Sequence, residues 1–269
     1  MRLLISPVLV ALTALPALAA PEVFKASEPI RKLRAVRLDG NIAAVKRFDL
    51  YPDAPPGKLF ALEVEHDPEV KPRVELAGGT LSLTSERPKL LQGSPDQEWD
   101  VHLSPLPVWD LALKFGAARA IMDLGGLKVR DLSLSTGAAT VEVFWEKLNR
   151  VSLEHAEIEG GASRVKLRGL GFARIQNLAY QGGAGTLELD FAGPLSGTAQ
   201  VDIQAGVGAI DLKVPKAIGI RVVEKDVALA HVSWPDDLDG RETPNYAKAK
   251  GRINLKLTAA VGRVRVSRI

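Results

Sequence analysis

One seven-residue phrase, repeated at nearly constant spacing, limits what this chain can fold into. It reads Gly137-Ala-Ala-Thr-Val141-Glu-Val143, Gly161-Ala-Ser-Arg-Val165-Lys-Leu167, Gly183-Ala-Gly-Thr-Leu187-Glu-Leu189 and Gly206-Val-Gly-Ala-Ile210-Asp-Leu212. A degenerate copy begins at Gly116, an early one carries Ala77 in the first small position, and the last begins at Ala260. From Gly116 to Gly206 the steps are 21 to 24 residues, the range of repeat architectures. Each copy is a turn of small residues followed by a strand of alternating apolar and polar side chains. A second alternating segment lies between copies, as in Leu132-Ser-Leu134, Val151-Ser-Leu153 and Val201-Asp-Ile203. Two strands and two turns use up about 22 residues and leave no room for a helix.

The expected fold is therefore all-β: a β-solenoid of stacked coils of about 22 residues, right-handed, with an N-terminal β-layer as cap. A leucine-rich repeat shares the rhythm of Leu124-Gly-Gly-Leu127-Lys-Val129. It lacks support here, because no Asn or Cys closes each strand and no helical period follows. The glycines fit turns that need positive φ or close backbone approach. On this reading Gly183→Val is severely destabilising.

The chain divides into a signal peptide (1–19), an N-terminal β cap (20–75) and a repeat domain (76–269) with a longer last coil at 224–250. Arg2, the apolar run from Leu3 to Leu15 and Ala17-Leu18-Ala19 have the order of a secretory signal, with cleavage expected after Ala19. Asp39-Gly40-Asn41 reads as a hairpin turn, and Tyr51-Pro52-Asp53-Ala54-Pro55-Pro56-Gly57 and Pro88 to Gln97 read as loops. The chain contains no cysteine, so disulfides, thiol catalysis, thiolate metal sites and acylation of a lipoprotein cysteine are excluded. A formal charge of +3 gives no indication of nucleic acid, and no segment after the signal approaches transmembrane length. An exported protein, periplasmic or extracellular, is expected.

Several words of the chain occur in a specific order: Lys71-Pro-Arg-Val-Glu, Gly78-Gly-Thr-Leu-Ser-Leu, Trp99-Asp-Val-His-Leu, Gly125-Gly-Leu-Lys-Val-Arg-Asp-Leu-Ser-Leu-Ser-Thr-Gly-Ala-Ala, and Asn245-Tyr246-Ala-Lys-Ala-Lys-Gly-Arg-Ile253-Asn-Leu255. In this the chain resembles the bacterial toast-rack family of exported β-solenoid proteins, related to adhesin domains and to the C-terminal domains of cell-wall-stress regulators. The resemblance implies a cell-envelope protein and carries over no catalytic residues. Those regulators have membrane helices before the solenoid, where this chain has a signal peptide.

Candidate chemistry is sparse. In the repeat strands Glu142, Lys166, Glu188 and Asp211 form one outward column, and Asp123, Phe144, Arg168, Asp190 and Lys213 form another, with coils about 4.8 Å apart. Acid then mostly faces base. Glu188 and Asp190 are the pair a glycosidase would use, though their basic neighbours favour a charge ladder. Asp236, Asp237, Asp239 and Glu242 superficially suggest calcium but lack the alternating spacing of a calcium loop. His66, His102, His155 and His231 are scattered, and no motif implies a cofactor. The last 22 residues hold Lys248, Lys250, Arg252, Lys256, Arg263, Arg265 and Arg268 and no acid. These read either as protection of a terminal edge strand or as a patch for an anionic envelope polymer, lipid headgroups or another envelope protein. The function expected is a non-enzymatic binding or scaffolding, adhesin-like module of the envelope. A carbohydrate-active β-helix enzyme and an envelope-stress regulator are the alternatives.

Overall fold

The computed structural model describes residues 21–30, 33–85 and 97–269. The expected signal peptide (1–19) and most of the expected Pro88–Gln97 loop lie outside the described residues. The strands are β1 (Glu22–Pro29), β2 (Ala35–Ala44), β3 (Arg47–Tyr51), β4 (Lys58–His66), β5 (Pro72–Ala77), β6 (Thr80–Ser85), β7 (Glu98–Leu103) and β8 (Val108–Ala117). They continue as β9 (Arg119–Asp123), β10 (Lys128–Thr136), β11 (Thr140–Phe144), β12 (Leu153–Arg168), β13 (Ile175–Asp190), β14 (Gly197–Val214), β15 (Gly219–Ser233) and β16 (Gly251–Arg268). A single helical turn, α1 (Leu170–Ala173), interrupts them.

These described strands join into one sheet, wrapped into a nearly closed, barrel-like form around a shared core. One series runs β5-β6-β2-β8-β10 and the other β1-β4-β7-β3-β9-β11. Both enter β12, and β13, β14, β16 and β15 follow, each long enough to serve in both series. Pairing is antiparallel for β1–β4, β4–β7 and β5–β6 and parallel from β2 and β3 onward. The parallel register reproduces the spacing of the repeated phrase: Thr140 lies beside Arg119, Arg164 beside Thr140, Thr186 beside Arg164 and Ala209 beside Thr186.

Alternation explains the core. In β8, Trp109, Leu111, Leu113 and Phe115 point inward while the residues between them face out. Across the rungs this builds stacked columns such as Leu132–Ala156–Leu178–Val201–Leu255. Each such Leu or Val, fully buried, contributes about 1.5–3 kcal/mol. Trp99, Trp109 and Trp145 are the largest fully buried side chains among the described residues. Asn149, fully buried, clamps three rungs in one of the turns. Its Oδ1 accepts from Val129 N–H at 3.0 Å, and its Nδ2 donates to the carbonyls of Val129 (2.7 Å) and Ala173 (3.2 Å).

Three sequence expectations are corrected. First, Asp39-Gly40-Asn41 is no hairpin: β2 runs straight through it, paired on both sides by β6 and β8. Leu113 packs so closely over Gly40 that a Cβ there would lie 2.5 Å from its Cδ2. Second, Gly183 is not the demanding glycine, since a Cβ there meets nothing nearer than Gly161 O at 3.4 Å. The demanding column lies two residues on. Gly185 (φ 152°) and Gly208 (φ 149°) would each place a Cβ 1.9 Å from the carbonyl oxygen of the rung beside them.

Third, the basic last strand is not an edge. β16 lies between β14 and β15, so the chain lays down the outermost rung first and then returns to fill the gap. The same permutation occurs at the other end, where β2 and β3 lie inside β6 and β7 although they precede them in sequence. At this end of the sheet the edge needing protection is therefore β15, and it has three devices. Its register shifts between Val222 and Glu224. Lys225, itself exposed, takes the register position of the inward column beside Leu257 and rests over the Trp234 ring at 5.7 Å. Backbone from 241–243 covers its first residues, with Val222 N–H donating to Arg241 O (2.7 Å) and Thr243 N–H to Ile220 O (2.9 Å). Bulges and inward charges are what keep an edge from templating another strand.

Candidate functional site

A groove of about 480 Å³ runs across the outer surface of the first halves of β12, β13, β14 and β16. The parallel register places its side chains. His155, Asn177, Gln200 and Asn254 form one column, continued at its two ends by Asp131 and Arg221. Glu157, Ala179, Asp202, Lys256 and Glu224 form the next. Rungs lie about 4.8 Å apart, so a column of long side chains forms a wall. Ala179 has only a methyl group between Glu157 and Asp202, and this leaves the hollow.

The groove is partly satisfied from within. His155 Nδ1 lies 3.0 Å from Asp131 Oδ1. Asn177 Nδ2 donates to Glu154 O (3.0 Å), and Tyr246 OH donates to Asn254 Oδ1 (2.5 Å). Arg221 stacks over the Tyr246 ring at 3.9 Å and pairs with Glu242 at 2.8 Å, closing the C-terminal end. Lys256 Nζ is 3.1 Å from Glu224 and 4.0 Å from Asp202; the bond to Glu224 is the main cause that pushes its ammonium up. Asp202 Oδ1 is buried without a hydrogen-bond partner, and Gln200 is exposed with none among the described residues. What remains unpaired among the described groove residues is thus amide capacity, the Glu157 carboxylate and Asp202 Oδ1, a surface suited to hydroxyl groups.

The seven basic residues of the C-terminal segment do not form one patch. Lys248 and Lys250 lie in the connection before β16. Arg252 and Lys256 face out on its first half, and Arg263 and Arg265 face out on its second, beyond the corner at Gly262. Arg268 is a structural residue: its side chain is 8% exposed, it pairs with Asp237 at 3.1 Å and it donates to the carbonyls of Ile218 and Lys216. Only Lys256 reaches the groove. Asp237 is engaged by Arg268, and Asp239 and Glu242 exchange backbone hydrogen bonds, so these acids close a turn. No group of three His, Asp or Glu among the described residues has the arrangement of a metal site.

The charge ladder of the repeat strands is present in the expected register, Glu142 beside Lys166 beside Glu188, and Arg168 beside Asp190 beside Lys213. The contacts run partly along the diagonal: Arg168 with Glu142 (2.6 Å), Lys213 with Glu188 (2.6 Å) and Lys166 with Glu188 (3.7 Å). Hydrogen bonding from Lys213 holds the Glu188 carboxyl below its ordinary range, the opposite of what a general acid needs. Asp190 accepts the Ala192 N–H at 2.8 Å and so caps its own turn. Asp123 is pushed up by burial, yet its Oδ1 likewise accepts the Gly125 N–H at 2.8 Å. Two Asp–His contacts arise only between distant segments, His155 with Asp131 and His102 with Asp53 (2.7 Å). The groove residues carry a sequence signal that the repeated phrase does not. Aligning the second alternating segment at the same period stacks His155, Asn177 and Gln200.

Residues 56–168 match the N-terminal domain of toast_rack (DUF2154), so the family resemblance read from the sequence is borne out there. The fold is similar to that of a "putative cell adhesion protein" from Clostridium sporogenes, with 16% identity, 93% of this chain and 100% of that one covered, and a TM-score of 0.46. It is also similar to a "putative lipid binding protein" from Parabacteroides distasonis (11% identity, 93% and 97% covered, TM-score 0.40). A "putative adhesin" from the same species is a third (12% identity, 92% and 97% covered, TM-score 0.36). No curated protein matches the chain.

Proposed function

We propose that this chain, with its toast-rack domain over residues 56–168, is a non-enzymatic module of the bacterial cell envelope that binds an extended, hydroxyl-rich polymer. Its coils stack as a right-handed β-solenoid; parallel pairing in steps of 21–24 residues supports this reading. One observation carries the function. Glu142, Lys166, Arg168, Glu188 and Lys213 neutralise one another on the repeat strands, whereas the groove lines up three amides, Asn177, Gln200 and Asn254, on successive rungs with hydrogen-bonding capacity left over. A ligand that repeats along its length, such as a glycan strand, presents hydroxyls to such a line at intervals. Lys256 is already occupied by Glu224 and Asp202, which disfavours a polyanion in the groove. Export by residues 1–19 to the periplasm or beyond belongs to the same proposal.

The test uses purified protein and insoluble wall polysaccharide in a co-sedimentation assay. Retention by the wild type, lost in Gln200→Trp, which removes the free amide and crowds the groove, is the expected result. Undiminished binding of Gln200→Trp disposes of the groove. Release of soluble sugars, abolished in Glu188→Gln, would replace this reading with the enzymatic one.

A further inference from the structure

A second surface lies on the corner where the long strands bend from one series to the other. Alternation breaks there, and in β12, β13 and β16 two successive residues face solvent, as with Gly183 and Ala184. On the C-terminal rungs this corner carries Val207 (55% exposed), Val261 (44%) and Leu229 (80%). They are direct register partners, Val207 beside Val261 beside Leu229, so they form one apolar ridge rather than scattered side chains. Nothing in the fold requires it, since small residues fill the same corner position on earlier rungs, Ala162 and Ala184 among them.

Two residues further along each rung runs a column without an acid: Arg119, Thr140, Arg164, Thr186, Ala209, Arg263 and His231. Among the described residues, Arg119 and Arg263 have no ion pair, and Arg164 donates only to Thr186 Oγ1 at 3.3 Å. Between Arg119 and Arg164 the surface dips over Thr140 into a hollow of about 340 Å³, open to an anionic group. The one carboxylate at its rim, Glu142, is held by Arg168.

We propose that this corner docks on an anionic phospholipid surface, with Leu229, Val261 and Val207 entering the headgroup boundary and the arginine column facing lipid phosphates. Charge decides between occupants. A second copy meeting the ridge through a twofold axis perpendicular to the columns would set the arginines against each other, and an axis parallel to them would leave the arginines without a partner. A soluble polyanion gains nothing from an exposed leucine. A bilayer interface rewards both the projecting aliphatic groups and the cations beside them. The inference rests on the envelope reading above.

Flotation of the purified protein with vesicles tests it, using phosphatidylcholine alone against three parts phosphatidylcholine to one part phosphatidylglycerol. Binding to the anionic vesicles only, weakening with added salt, is expected. Replacing Arg119, Arg164 and Arg263 by Gln should cost about fivefold in partitioning per arginine. Leu229→Ser with Val261→Ser should cost about tenfold or more, with an unchanged melting temperature. Equal binding to both vesicle types, or variants that bind like the wild type, overturns the proposal. So does a wild-type dimer in sedimentation that Leu229→Ser dissociates, which would make the ridge a contact between copies. Export is scored separately by protease access in spheroplasts. An exported chain that ignores vesicles sinks only the lipid inference, and a chain retained in the cytosol sinks the envelope reading.

Discussion

The backbone column Gly185–Gly208–Gly262 is where a single methyl group should do most harm, and Gly208→Ala isolates that effect. Gly208 has φ 149°, and an alanine Cβ there would lie 1.9 Å from Gly185 O and 2.9 Å from its carbonyl carbon. Reaching even a 3.0 Å contact requires the two rungs to part locally by about 1 Å, because the obstacle is backbone and cannot rotate away. That separation takes ladder hydrogen bonds beyond useful length. Two lost bonds at about 1 kcal/mol each, with about 1–3 kcal/mol for a side chain held in this backbone region, give about 3–5 kcal/mol. For a domain of this size the expected fall in melting temperature is about 10 °C. Thermal unfolding followed by far-ultraviolet circular dichroism measures it, with Gly183→Ala as the control. That Cβ has 3.4 Å of clearance, so its effect should be small and of either sign. Equal melting temperatures for the two variants would refute the reasoning.

Three further outcomes are expected. Asn149→Ala strands the Val129 N–H and two carbonyls in the interior, and should cost about 3 kcal/mol in urea unfolding; a loss indistinguishable from zero would mean water takes over its bonds. Glu98, through Lys46 and Arg47, and Glu188, through Lys213, are both held below their ordinary range. The unfolded chain therefore binds protons at these groups first, so their stabilisation is present above about pH 4.5 and is lost as pH falls through the lowered folded values. The double variant Glu98→Gln, Glu188→Gln should flatten that acid limb in melts across pH 2 to 6, and an unchanged slope would defeat the assignment. Removing residues 251–269 takes away the strand that holds β15 and opens the edge of β14. Limited proteolysis should then cut within 219–233, and persistent protection there would show that β15 does not depend on β16.

Much of the architecture was legible because a parallel stack writes its period directly into the chain. The phrase spacing from Gly116 to Gly206 predicted which residues neighbour one another, and Glu142, Lys166 and Glu188 are indeed side by side. Alternation within each strand likewise predicted the buried columns, since a two-residue period has one inward face. The glycines were legible as corner residues but not in their ranking. Gly183 and Gly185 look alike in sequence, and only the φ angles and the approach of the rung beside each separate them.

Rung order could not be read in the same way. A repeat tells which segments are equivalent, but equivalent segments can stack in any sequence that the connections allow. The connection 234–250 is long enough to let β16 return inside β15, and that choice took the edge away from the basic strand and gave it to the strand bearing Lys225. The groove and the apolar ridge were invisible for the same reason. Their residues come from rungs up to about a hundred positions apart, joined only by lateral register, as His155 is to Asn254 and Val207 to Leu229. The sequence by itself determined the period, the inward face and the all-β character, because these depend on local side-chain pattern. The tertiary structure alone decided which rung is last and which outward side chains share a surface, because stacking order is a property of how the chain returns on itself.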